Sequence, residues 1–162
     1  MRLRHRIALA ALVAATATVP GTPARAGDVV VFAAQAYPDE GWSLGYGAAL
    51  GSTWFRVLTF EGEFARLPGE NHEGSVTTFT GSALLGPPIG ALVPYGGLGV
   101  GVYRVSLGEA SETATLSCLV LGLKLRVKEL LVLKAEYRNY NLSGEPLIPL
   151  DYRLSAGAGI AF

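Results

Sequence analysis

Nine charged residues recur at a spacing of two in an otherwise apolar chain: Glu61 and Glu63, Lys124 and Arg126, Lys134, Glu136 and Arg138, Asp151 and Arg153. On an extended strand, side chains two apart share a face, so each group sets its charges on one side and its apolar neighbours on the other. Carboxylates and cations so arranged can neutralise one another as an ion-pair network inside a closed sheet, or they can be the watered side of a sheet whose apolar side is its core. A catalytic set is harder to assemble. His72, in Glu70-Asn71-His72-Glu73, could act as a general base or join carboxylates around a metal, but no serine or aspartate motif accompanies it. It is read as a solvated loop side chain, and no catalytic, cofactor-binding or metal-binding residue is assigned. Cys118 is the one cysteine, which excludes an internal disulfide framework and a cysteine zinc site. It falls on the same face as the charges and is expected to be a small buried side chain.

Those residues must be positioned by strands, because period-two alternation runs through most of the chain. Leu133, Ala135 and Tyr137 oppose Lys134, Glu136 and Arg138; Leu58, Phe60 and Phe64 oppose Thr59, Glu61 and Glu63. Leu119, Leu121, Leu123 and Leu125 oppose Cys118, Gly122, Lys124 and Arg126. Eight segments emerge, at 29–36, 42–51, 56–66, 75–86, 93–105, 114–126, 131–140 and 151–162. The first is the least regular, since Val29 to Ala36 has no clear polar face. The connections alternate in character. Those at 37–41, 67–74, 106–113 and 141–150 are polar and acidic; those at 52–55, 87–92 and 127–130 are shorter or hold Pro87-Pro88.

Residues 1–26 read as an export signal: Arg2, Arg4, His5 and Arg6 precede an apolar stretch from Ile7 to Val19 and an Ala24-Arg25-Ala26 cleavage site. Four of the 13 basic residues lie in this segment and none of the 13 acidic ones, so the remaining domain, 27–162, carries a formal charge of −4. It offers no basic excess for nucleic acid and no run of apolar residues long enough for a spanning helix. An exported chain that is 50% hydrophobic and only 16% charged is then either a soluble β-domain with its apolar face inside, or a barrel with that face in lipid. Three features favour lipid. Trp42, Tyr103, Tyr140 and Tyr152 stand near segment ends, as an interfacial girdle requires; the opposite face is crowded with glycine, suiting a narrow lumen; and the last strand ends the chain without a tail. The expected fold is all-β: an eight-stranded antiparallel transmembrane β-barrel after a cleaved signal peptide. Eight strands enclose just enough room for side chains to fill, giving a plug and no open pore.

Three stretches carry a resemblance. Val93-Pro94-Tyr95-Gly96-Gly97-Leu98-Gly99-Val100-Gly101-Val102, Leu133-Lys134-Ala135-Glu136-Tyr137-Arg138 and the closing Ser155-Ala156-Gly157-Ala158-Gly159-Ile160-Ala161-Phe162 resemble the small bacterial outer-membrane β-barrels of OmpA/OmpX type. The resemblance covers nearly all of 27–162 and implies an outer-membrane location. It implies that Phe162 is the terminal signal read by the barrel-assembly machinery, and that outer-membrane lipids and lipopolysaccharide are partners. The chain is also similar in architecture to lipid A deacylases, whose penultimate strand holds H-x-S-N. Here the corresponding stretch is Arg138-Asn139-Tyr140-Asn141-Leu142-Ser143, where Asn139 replaces the histidine and cannot accept a proton at neutral pH. Palmitoyltransferase-type barrels use loop histidines, and His72 stands without the partners such chemistry needs.

The remaining signal is charge in the polar connections. Asp39, Glu40, Glu70, Glu73, Glu109, Glu112 and Glu145 all fall there. Facing outward, they would form an anionic rim beside lipopolysaccharide, bridged to phosphate by divalent cations; as a simpler alternative, they keep an exposed end soluble. The expected role is structural or surface-interacting, with no enzyme activity and no nucleic-acid partner. A lipid-modifying enzyme, and a narrow passive channel or carrier of small hydrophobic molecules, are the alternatives.

Overall fold

Alternation of small or charged residues with large apolar ones gives each strand two unlike faces, and closing the sheet separates them completely. The computed structural model describes residues 26–37, 43–68, 74–108, 110–127, 130–144 and 150–162. The expected export signal lies outside these residues except for Ala26, and Trp42, His72, Asp39, Glu40, Glu70, Glu73, Glu109 and Glu145 lie outside them too. Eight strands follow in chain order: β1 Ala26–Tyr37, β2 Ser43–Trp54, β3 Leu58–Pro68, β4 Gly74–Leu85, β5 Leu92–Leu107, β6 Ala110–Val127, β7 Leu131–Leu142 and β8 Tyr152–Ala161. Each pairs antiparallel with the next, and β1 pairs with β8, from Asp28↔Ala161 to Tyr37↔Tyr152, to close the ring. The irregular first segment is therefore the seam strand. Its inward face, Val30, Phe32, Ala34 and Ala36, is apolar, which is why no polar face was readable.

All eight segments form at the expected places, with ends shifted by a few residues. The largest departure is at 106–113, expected as an acidic connection. There β5 runs on to Leu107 and β6 starts at Ala110, with Leu107↔Ala110 and Ser106↔Ser111 as register pairs. Glu112 is thus a strand residue of β6, not a loop residue. The cause is local: Gly108 takes φ +57°, so a tight turn suffices and the β-favouring Val105, Thr113 and Thr115 zip together around it.

Outside, the wall is apolar. Val31, Leu44, Leu98 and Val100 are each more than 60% exposed, and Phe60, Phe79, Leu121 and Leu133 stand beside them on other strands. Inside, the lumen divides into two zones. Toward the end that bears the β1–β2, β3–β4, β5–β6 and β7–β8 connections it holds Phe32, Leu67, Val76, Tyr103, Val105, Leu116 and Tyr140, with Leu150 folded in from the β7–β8 connection. Toward the short turns it holds the charges. The aromatic girdle inferred from sequence is corrected here: of its three described members, Tyr103 and Tyr140 are buried inside the lumen, because they share parity with Gly101 and Arg138, and Tyr152 is partly exposed, its ring 5.9 Å from that of Tyr137.

Candidate functional site

The interior charges come from five of the eight strands and meet because inward parity places them at neighbouring levels of one narrow lumen. Eight charged side chains are buried among the described residues: Asp28, Glu61, Glu63, Lys124, Lys134, Glu136, Arg138 and Arg153. Four cations face four anions, so the lumen is neutral. A lone ion here would carry a desolvation penalty of several kcal/mol, and pairing is what makes its burial tolerable.

Arg138 is the hub. Its Nε donates to Glu136 Oε1 at 2.6 Å, its Nη2 to Glu61 Oε1 at 2.9 Å, and the same Nη2 lies 3.1 Å from Glu63 Oε2. Its Nη1 donates to Thr80 Oγ1 at 2.9 Å and to Ser82 Oγ at 3.3 Å, and lies 3.9 Å from Cys118 Sγ. Lys134 Nζ extends the network to Glu61, 2.8 Å from each carboxylate oxygen, and to Glu136 Oε2 at 2.9 Å. Arg153 Nη2 donates to both oxygens of Glu63 at 2.7 and 2.8 Å. Its Nε and Nη1 have no hydrogen-bond acceptor, but the guanidinium lies 5.1 Å from the Phe32 ring centre and 5.9 Å from that of Tyr140, where ring faces attract the cation. Lys124 and Asp28 form a separate pair nearer the short turns.

Oxygens of Glu61, Glu63 and Glu136 lie within 4.8 Å of one another, a spacing compatible with a metal ion. Arg138 contacts all three carboxylates, and an arginine in a protein keeps its proton. With Lys134 on Glu61 and Glu136 and Arg153 on Glu63, three cations already balance the three carboxylates.

Two of the residues expected in this network do not belong to it. Arg126 and Asp151 have the inward parity but are exposed, because each sits where its strand ends and the wall no longer encloses it. Asp151 contributes through its backbone, its carbonyl accepting from Tyr140 N at 2.8 Å and Asn139 Nδ2 at 3.3 Å. Asp28 lies just outside the first segment that alternation marks, 29–36, and its parity with Val30 and Phe32 is the signal that would have found it. Tyr95 was missed as a network member as well. Its hydroxyl donates to Glu136 Oε2 at 2.9 Å, and its ring crosses its register partner Gly122, where a Cβ would overlap the phenol. Of the deacylase-like positions, Asn139 and Ser143 are both exposed.

Solved structures match the fold of this chain over nearly their whole length. The Neisserial surface protein NspA shares 17% identity and a TM-score of 0.66, over 87% of this chain and 97% of that one. The fold is that of the small outer-membrane β-barrels. The N-terminal barrel domain of Pseudomonas aeruginosa OprF matches at 17% identity and TM-score 0.61, covering 83% of this chain and 97% of its own. The Yersinia pestis attachment invasion locus protein Ail matches at 18% and 0.55, covering 85% and 97%. No protein-family model and no curated protein sequence matches the chain.

Proposed function

We propose that this protein is an integral barrel of the bacterial outer membrane, with its interior closed by side chains and a structural or surface-interaction role. One observation carries the reading: the faces are inverted relative to a water-soluble barrel. Large apolar side chains cover the outer wall while eight charged side chains are buried within. In water such a wall would far exceed the few hundred Å² of contiguous apolar surface that soluble monomers expose. In hydrocarbon it is the favoured solvent face, and ring closure leaves no unpaired backbone edge in the lipid.

The fully buried Arg138 and Arg153 lie across the lumen, which supports a plug over a channel. The role is non-enzymatic on this reading, as Asn139 and Ser143 make no base–nucleophile pair. Outer-membrane lipids and lipopolysaccharide surround the wall, and the barrel-assembly machinery reads Phe162 during insertion. The test is a heat-modifiability gel on outer-membrane fractions, paired with conductance in planar bilayers. A band that shifts on boiling with no unitary conductance is the expected result. A soluble product without a shift overturns the membrane reading, and steady conductance overturns the plug.

A further inference from the structure

The short-turn end of the barrel is unlike the other end in both charge and hydropathy. Every connection there presents a large apolar side chain outward. Phe55 in the β2–β3 turn is 76% exposed, Ile89 in the β4–β5 turn 65%, Leu130 in the β6–β7 turn 68%, and Phe162 beside the β1–β8 seam 68%. The exposed charged side chains described at this end are both cations, Arg56 and Arg126. Asp28 and Lys124 are buried and paired to each other, and Lys128 and Glu129 cancel by sequence. The opposite end receives the acidic connections.

The β2–β3 turn adds an independent sign. Val57 N bonds Trp54 O at 3.2 Å, and the two central residues, Phe55 and Arg56, adopt φ 51° and 67°. That is the geometry in which Asn-Gly is favoured. Here the strained positions hold an aromatic and a cation, and both are displayed to the outside. In ring order, the β2–β3 and β6–β7 turns are four strands apart among eight. Phe55–Arg56 and Arg126–Leu130 therefore stand on opposite sides of the barrel, and each pairs an apolar side chain with a positive charge.

We infer that the short-turn rim is a binding collar for anionic phospholipid. Phe55, Ile89, Leu130 and Phe162 enter the boundary of the acyl chains, continuing the apolar wall, while Arg56 and Arg126, the latter reaching over the rim where β6 ends, each engage a lipid phosphate from opposite sides. The occupant is a lipid surface and not a second protein, because the apolar residues are spread around the circumference and form no single flat patch. Cations beside apolar side chains match an anionic headgroup above its acyl chains. This inference rests on the membrane-embedded reading.

Trp54 adjoins the collar, and Trp42→Phe leaves it as the one tryptophan. That variant is refolded into vesicles and its heat shift confirmed on a gel. Trp54 fluorescence is then quenched with phosphatidylcholine or phosphatidylglycerol brominated near the top or near the end of the acyl chain. The expected result is strongest quenching by the shallow label, with phosphatidylglycerol preferred about fivefold, and loss of that preference in Arg56→Gln/Arg126→Gln. Quenching by aqueous iodide with none from bromolipid places the rim in water and overturns the collar. Equal quenching by the two lipids, unchanged in the double variant, overturns its selectivity. Absence of the heat shift is a separate failure, that of the membrane reading itself, and removes the collar with it.

Discussion

Arg138 and Arg153 are register partners on β7 and β8, both pointing inward with no solvent exposure, and they share Glu63 between them. Like charges directly opposite on adjacent strands repel. Here the repulsion is cancelled from the far side of the lumen, because Glu63 reaches across from β3 and accepts from Arg153 while lying 3.1 Å from Arg138. Two strands adjacent in the sheet are thus tied to one on the opposite wall.

Glu63→Gln leaves Arg153 with only Glu136, 3.7 Å away, and is expected to destabilise the barrel by about 3–5 kcal/mol. Removing both partners, as Glu63→Leu with Arg153→Met, keeps the remaining lumen neutral and is expected to cost less than the single change. Urea unfolding in lipid vesicles measures both, and a double variant as unstable as the sum of its singles would argue against the shared pair.

Gly122→Ala should act through Tyr95. The new methyl occupies the place of the phenol, so the ring moves and its bond to Glu136 is lost, at a cost of about 1–3 kcal/mol. In a Tyr95→Ala background the same change should cost less, leaving only the close approach of the methyl to the Ala135 carbonyl oxygen at 2.8 Å. A coupling energy close to zero in this double-mutant cycle would show that the two side chains act independently.

Replacing Phe55-Arg56 by Asn-Gly should stabilise the barrel by about 1–2 kcal/mol in vesicles of neutral lipid, since left-handed backbone costs roughly that much for each residue bearing a Cβ. Unchanged unfolding in neutral lipid would mean that the turn is not strained in the folded protein.

Deletion of Phe162 should impair assembly more than stability. In the folded barrel its backbone makes two bonds with Gly27, at 2.7 and 2.9 Å, at the very end of the seam. Outer-membrane levels in cells are expected to fall severalfold while refolding into vesicles proceeds, with a stability loss of about 1–3 kcal/mol for the two bonds. Normal insertion in cells would remove the assembly role from Phe162.

What the sequence determined by itself is the period, and with it the faces. Alternation with period two is a property of one strand, so eight segments, their inward and outward residues, and the inversion of Leu133 against Lys134 were legible without any tertiary contact. Tertiary structure decided which charges meet and where enclosure stops. Lys134 bonds Glu61 across 73 positions, Arg153 bonds Glu63 across 90, and Lys124 bonds Asp28 across 96. Those meetings depend on how the closed sheet staggers its strands across the lumen, which no local pattern encodes. Parity also runs on past the ends of the wall. Arg126 and Asp151 carry the inward sign in the sequence, yet they stand in the open because a side chain is buried only where neighbouring strands extend far enough to surround it.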